Sequence, residues 1–126
     1  MRITVDPSTE AGGFGYAAPG RYTLRVSKEP EQKQKNDIYL KWTFEFADPN
    51  VQSATGVGKV GNIFENTTLK KGDNAQFRLR QLCDALGIKW GDFDTQDVIG
   101  LEFDAEVGIK EYNGTMSNEV KKYIKK

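Results

Sequence analysis

Cationic and aromatic residues alternate with apolar ones along several short segments of this sequence. Tyr39 and Lys41 lie opposite the apolar side of one segment, and Arg21 and Arg25 lie opposite that of another. Cations can meet phosphate groups and rings can stack on bases, which are the two requirements for holding an unpaired nucleic-acid strand. The residues predicted to do so are Arg21, Arg25, Lys33, Lys35, Tyr39, Lys41, Lys59, Phe64, Lys110 and Tyr112.

Composition excludes most catalytic and metal chemistry. Without any His, the chain lacks imidazole bases, His-containing triads and His-containing zinc sites. Its single Cys cannot form an internal disulfide or a Cys-rich metal cluster, which favours a reducing compartment. Residues 56–61 spell G-x-G-x-x-G, but a strand is predicted after them where a dinucleotide site needs a helix. We therefore expect no enzymatic activity, no cofactor and no metal.

Length and composition predict one folded domain. The 126 residues are 37% apolar and 29% charged, as is typical of globular proteins. Residues 1–19 hold Gly12, Gly13, Gly15, Pro7 and Pro19, so residues 1–18 are predicted to form a flexible leader, with the domain at residues 19–126. No apolar run approaches the ~18 residues of a membrane helix, so no membrane partner is expected.

Three strands are predicted in the first half of the chain. In residues 21–28, Tyr22, Leu24 and Val26 alternate with polar residues, and the same period of two runs through residues 38–46. Residues 29–37 are predicted to be a polar loop. A third strand is predicted at residues 62–69, where poor alternation indicates a bulge or bend that would decide whether Phe64 faces outward.

One helix and two more strands are predicted to follow. Asp73 occupies the expected N-cap position, Gln76 fits a capping box, and Gly87 fits the left-handed position after the last turn. The next strand, near residues 102–109, alternates inward apolar residues with the outward acidic residues Glu102, Asp104 and Glu106. The pair Asn113-Gly114 predicts a tight hairpin that leads into a last strand at residues 116–124.

The order of these elements predicts the fold class. It lacks the βαβ alternation of a parallel sheet. Five short strands with one helix between the third and fourth are the layout of a mainly β, five-stranded Greek-key OB-fold barrel. In that fold the ligand lies across strands two and three, flanked by the loops that join strands one to two and four to five.

Charge is balanced overall but uneven along the chain. The sequence contains 18 Lys plus Arg and 18 Asp plus Glu. Residues 1–83 carry 12 basic and 9 acidic groups, residues 84–111 carry 2 and 8, and residues 112–126 carry 4 and 1. We expect the acidic fourth strand to lie at the back of the barrel, which would leave a basic front for phosphates.

Several segments together resemble a known phage family. They are Pro19-Gly20-Arg21-Tyr22, residues 39–45 (YLKWTFE), residues 77–88 (FRLRQLCDALGI), Ile99-Gly100 and Glu111-Tyr112-Asn113-Gly114. In order and spacing they are similar to the bacteriophage single-stranded DNA-binding proteins with an OB-fold, over roughly residues 18–124. The resemblance implies a protein that coats single-stranded DNA during phage replication or recombination in the cytoplasm of the bacterial host. It implies no catalytic residues, and it allows phage replication or recombination proteins and further copies of the chain as partners.

Two function classes stay open at this point. The leading hypothesis is non-enzymatic, largely sequence-independent binding of single-stranded DNA. The alternative is an OB-fold protein-interaction module that recruits replication or recombination proteins. Single residues also have structural alternatives, since Tyr39 could cover the barrel edge and Phe64 could pack in the core. Trp42 is predicted to lie in the core because it shares a strand face with apolar residues.

Overall fold

The computed structural model describes residues 1–4, 15–54, 59–72, 75–91 and 93–126, apart from the side chain of Tyr112. Its elements are β1 (Gly20–Val26), β2 (Glu31–Gln34), β3 (Ile38–Phe46), β4 (Ile63–Thr68), α1 (Phe77–Leu86), β5 (Glu102–Tyr112) and β6 (Thr115–Ile124). The six strands form one sheet, and every pairing between them is antiparallel. The predicted mainly β class is confirmed, with six strands in the described chain where five were predicted.

β3 lies at the centre of the strand order. β4 pairs with one edge of β3, from Tyr39 opposite Thr68 to Phe44 opposite Ile63. The other edge is shared by β2, at the start of β3, and β1, at its end. β1 then pairs with β5, and β5 with β6. The path therefore runs β4-β3-β1-β5-β6, and its two end strands contact each other. No ladder joins them among the described residues, so the sheet does not close into the predicted barrel.

Alternation along the strands places the core on one side of the sheet. Leu24, Trp42 and Phe44 are fully buried, which confirms the core position predicted for Trp42. The rings of Phe44 and Phe103 meet edge to face, with centroids 4.8 Å apart. Helix α1 packs against β4, β5 and β6 and buries Leu79, Leu82, Cys83, Ala85 and Leu86. Most of the inward residues predicted for β1, β3 and β5 form this core, but Ile38 is exposed and Tyr22 and Ile109 are only half-buried.

β4 is a regular strand, and the predicted bulge is wrong. Its six residues pair with β3 without any register shift, so Ile63, Glu65 and Thr67 point to the core side. The two polar inward groups have partners: Trp42 Nε1 donates to Thr67 Oγ1 at 2.8 Å, and Arg78 Nη2 donates to Glu65 Oε1 at 2.7 Å. Inward and outward residues therefore alternate regularly along β4. The hydrophobicity pattern did not show this, because two of the inward residues are polar and hydrogen-bonded.

β2 lies where a polar loop was predicted. Glu31–Gln34 contains no apolar residue, and three of its four side chains are exposed. Residues 35–37 turn the chain back, so that Lys33 comes to lie opposite Tyr39. The backbone ladder with β3 therefore makes this segment a strand, although its side chains carry no strand signal.

Helix α1 ends as predicted but begins differently. Gly87 has φ of 77°, the left-handed conformation expected after the last turn. Gln76 occupies the N-cap without a side-chain capping bond, and its Nε2 instead donates to the Leu69 carbonyl at 3.0 Å. The predicted N-cap Asp73 lies outside the described residues. Within the described residues, no helix is long and apolar enough to cross a membrane.

The predicted hairpin between the last two strands is confirmed. Asn113 and Gly114 have φ of 51° and 79°, as a type I′ turn requires, and Tyr112 pairs with Thr115 across it. A register shift between Glu106 and Val107 adds a bulge to the same pair of strands.

Residues just before β1 already belong to the fold. Ala17 is fully buried, its amide donates to Asn118 Oδ1 at 2.8 Å, and Asn118 Nδ2 donates back to the Ala17 carbonyl at 3.0 Å. Gly15 bridges to Val60 in the loop between β3 and β4. These contacts draw the end of the predicted leader into the fold. Residues 5–14 of that leader and residues 55–58 of the Gly-rich loop lie outside the described chain.

Candidate nucleic-acid interface

The outward side chains of β3 and β4 form one surface, called the β3–β4 face. It consists of Tyr39 and Lys41 from β3 and Phe64, Asn66 and Thr68 from β4, with Thr43 of β3 on the same side but buried (2% exposed). These six residues alternate with inward residues, and paired residues of neighbouring strands point to the same side of a sheet. Thr68 lies beside Tyr39, Asn66 beside Lys41, and Phe64 beside Thr43.

Phe64 is an aromatic ring left open on this face. Half of its surface (50%) is exposed to solvent. Lys41 Nζ lies 5.1 Å from the centre of the ring, within cation–π distance. A ring beside a cation on an open surface offers a flat face for a base and a positive charge for a phosphate.

β2 extends this face beyond the other edge of β3. The Glu31 carboxylate accepts from Lys33 Nζ at 3.0 Å and from Lys28 Nζ at 3.2 Å. These bonds, with Lys33 contributing most, lower the pKa of Glu31. Two lysines share one carboxylate, so the edge keeps a net positive charge. Tyr39 is half-buried and lies between Lys33 and Thr68, in the middle of this row.

The two predicted arginines of β1 are engaged with carboxylates. Arg25 Nη2 donates to Glu102 at 2.8 Å and Arg25 Nη1 donates to Glu45 at 3.1 Å, and these bonds, led by that to Glu102, raise the pKa of Arg25. Arg21 Nη2 donates to Asp104 at 3.2 Å. A phosphate would have to compete with these carboxylates for either guanidinium.

The predicted separation of the acidic strand from the basic front is wrong. β5 pairs with β1 from Gly20 to Arg25, so its outward carboxylates stand beside the outward arginines on the same side of the sheet. Thr23 Oγ1 also donates to Asp104 Oδ1 at 2.6 Å, and this bond, followed by that from Arg21, lowers the pKa of Asp104. The uneven charge along the chain is thus locally cancelled in space.

Four further predicted residues flank the face or lie away from it. Lys35 is exposed in the turn between β2 and β3, close to Lys33. Lys59 is exposed in the loop before β4 and bridges to Gln52. Lys110 and Tyr112 lie on the β5–β6 hairpin. This hairpin extends beyond Gly20, the first residue of β1, and so lies at one end of the sheet. Lys35 lies at the opposite end. The side chain of Tyr112 lies outside the described part.

Two lysines at the end of β4 were not among the residues predicted from the sequence. Lys70 and Lys71 are exposed, and in the described chain neither forms an ion pair. The Leu69 amide donates to the Ile38 carbonyl at 2.9 Å, so the β3–β4 pairing continues for one residue beyond Thr68. Lys70 therefore follows directly after the strand whose outward positions are 64, 66 and 68. A correct register for β4 would have identified it.

Other chemistry finds little support in the described chain. No group of three or more His, Cys, Asp or Glu side chains within it is arranged to hold a metal ion. Cys83 is buried in the core, and burial raises the pKa of its thiol to about 11. A thiol with that pKa is protonated at neutral pH and makes a poor nucleophile.

Comparison with protein-family models and with curated proteins finds no match to this chain. Its function must therefore be inferred from the β3–β4 face and from the sequence pattern.

Proposed function

We propose that this chain binds single-stranded DNA, without catalysis, through the β3–β4 face. One observation carries the proposal: Phe64 lies half exposed on the outer side of the sheet with the ammonium of Lys41 5.1 Å from its ring. Tyr39 adds a second ring on the same face, and Lys33 adds a second cation beside it. These are the groups that sequence-tolerant single-strand binding requires.

The chemistry favours an unpaired strand over a duplex. A base can stack on Phe64 only when its own ring face is free, whereas bases in a duplex are stacked on each other. A stacked base contributes ~1–3 kcal/mol, judged by truncation of its aromatic partner. Ring faces accept every base and phosphates carry no sequence information, so sequence preference is weak.

The same proposal includes the finer description of the fold. The path β4-β3-β1-β5-β6, with contacting end strands and a helix between β4 and β5, supports a partly open, five-stranded Greek-key OB-fold to which β2 is added. In such a fold the β3–β4 face corresponds to the usual ligand face. The resemblance to phage single-stranded DNA-binding proteins supports a role in phage DNA replication or recombination inside the bacterial host.

A binding titration with matched variants tests the proposal. Fluorescence anisotropy is measured with labelled oligo-dT, a random single strand and a duplex of equal length. We expect similar affinity for both single strands and weaker binding to the duplex. Phe64→Ala is expected to weaken single-strand binding about tenfold, as loss of one stacked base implies. Phe77→Ala is the control, because Phe77 is 61% exposed but lies on α1 instead of the β3–β4 face.

Equal affinity for duplex and single strand would contradict the proposal, as would wild-type affinity in Phe64→Ala. The protein-interaction module would then be the better hypothesis, because an exposed ring is also a common feature of protein contacts.

A further inference from the structure

The cations around the β3–β4 face are distributed unequally. Toward β1 and β5, Arg21 and Arg25 are held by Asp104, Glu45 and Glu102. Toward the end of β4, Lys70 and Lys71 are exposed and form no ion pair with any described residue. A phosphate approaching β1 meets occupied guanidinium groups, whereas one approaching the end of β4 meets ammonium groups that no described carboxylate binds.

The carboxylates beside β1 also act on a strand that comes near without touching them. Four carboxylates point to the outer side of the sheet, because each belongs to a residue that pairs with an outward residue of β1. They are those of Glu45, Glu102, Asp104 and Glu106. Arg21 and Arg25 offset much of this charge, so the row offers phosphates that pass over it no net attraction. Lys122, opposite Glu106, offsets part of this charge only at the far end of the row.

β4 provides a continuous polar path in the other direction. Its outward positions 64, 66 and 68 are Phe, Asn and Thr, and they extend over about 13 Å at the usual rise of a strand; Lys70 follows just after the strand ends. The Lys70 amide donates to Thr68 Oγ1 at 3.0 Å, which fixes the backbone just beyond the strand. Amide and hydroxyl side chains such as those of Asn66 and Thr68 are common partners of phosphate and sugar oxygens.

We propose that a bound single strand runs from the Phe64–Lys41 pair along the outer side of β4 onto Lys70 and Lys71, and does not cross β1 onto β5. This inference rests on the proposed function, because it assigns a path to the same ligand. Lys70 and Lys71 are then phosphate anchors, and the carboxylates beside β1 set the edge of the binding surface. About four lysines would meet phosphates: Lys41, Lys70 and Lys71, which form no ion pair with a described residue, and Lys33, which shares Glu31 with Lys28. Four contacts to a single strand predict a slope near −3 for log affinity against log salt.

Salt-dependent titration of labelled oligo-dT tests this path. The double variant Lys70→Ala/Lys71→Ala is expected to bind more weakly and to make the slope less negative by about 1.4, the loss of two phosphate contacts to a single strand. Lys122→Ala/Lys125→Ala carries the same change in net charge at exposed lysines away from the path and is expected to keep the wild-type slope. Arg21→Ala, on the β1 side, is also expected to keep it.

The outcomes separate the path from the function. A wild-type slope in Lys70→Ala/Lys71→Ala would overturn the path, and so would a loss of slope in Arg21→Ala, even with Phe64-dependent binding intact. Equal losses in both double variants would also overturn it, because they would indicate a response to net charge alone. Absence of single-strand binding by the wild-type chain would overturn both proposals.

Discussion

At the scale of single residues, Phe64 is placed where it does little for stability. Full burial of a Phe side chain contributes ~1.5–3 kcal/mol to folding. Half of the Phe64 surface is exposed, so this residue contributes only about half of that free energy. Its contact with Lys41 recovers only ~0.5–1 kcal/mol at an exposed site. The outward position of Phe64 therefore contributes little to folding, and the proposed ligand would give this ring a partner. The sequence identified the residue but not its direction, because the direction depends on the register of β4.

Thr67 is the residue that fixes that direction. Its buried hydroxyl accepts the Trp42 Nε1–H at 2.8 Å. Thr67→Val would keep the shape but leave a buried indole N–H without a partner, which costs ~1–3 kcal/mol. We expect urea unfolding to give a correspondingly lower free energy of unfolding. Asn66→Ala, at the adjacent outward position, is the control and should change stability by less than ~0.5 kcal/mol, because the Asn66 side chain is exposed. Equal stability of the two variants would contradict the assigned register.

At the scale of elements, the sequence predicted strands wherever apolar side chains alternate and failed where they do not. β3 could be predicted because Leu40, Trp42 and Phe44 share its buried side. β2 could not, because it is held by backbone bonds to β3 and its side chains are polar. The position of β4 could be predicted, but the side that faces the core could not. Its inward residues Glu65 and Thr67 are polar, and their partners Arg78 and Trp42 are distant in sequence.

Arg78 of α1 links β4 and β6, the two end strands of the sheet. Its Nη2 donates to Glu65 on β4 at 2.7 Å and to the Val120 carbonyl on β6 at 3.1 Å, and its guanidinium lies 4.7 Å from the centre of the Tyr123 ring. Because no ladder joins β4 to β6 in the described chain, these contacts connect the two strands.

Removal of the Arg78 guanidinium should weaken the contact between β4 and β6. Arg78→Met keeps the aliphatic length but leaves the Glu65 carboxylate, only 16% exposed, without its cation. We expect a loss of ~1–3 kcal/mol in the free energy of unfolding, less than for a fully buried pair because Arg78 itself is partly exposed. Arg80→Met is the matched control, since Arg80 is exposed and only lies 6.0 Å from the Trp90 ring. Similar losses in the two variants would show that Arg78 does not bridge the strands.

At the scale of the whole molecule, the order of charged residues along the sequence did not predict how the charges are arranged on the surface. Arg25 and Glu102 are 77 positions apart in sequence, yet they form an ion pair because β1 and β5 are neighbours. Local pattern predicted five of the six strands of the described chain and the buried side of β1, β3 and β5, but not β2 or the buried side of β4. Which cations remain free depended on cross-strand partners, and this is why Lys70 and Lys71 were missed.

Amide NMR shifts on titration with oligo-dT test the central claim most directly, because they map the contact on the intact chain. The β3–β4 face predicts shifts concentrated at residues 39–43 and 63–71, with the outward residues of β5 near their free positions. Shifts confined to β5 and β6, or to the outer side of α1, would contradict the assignment of single-strand binding to this face.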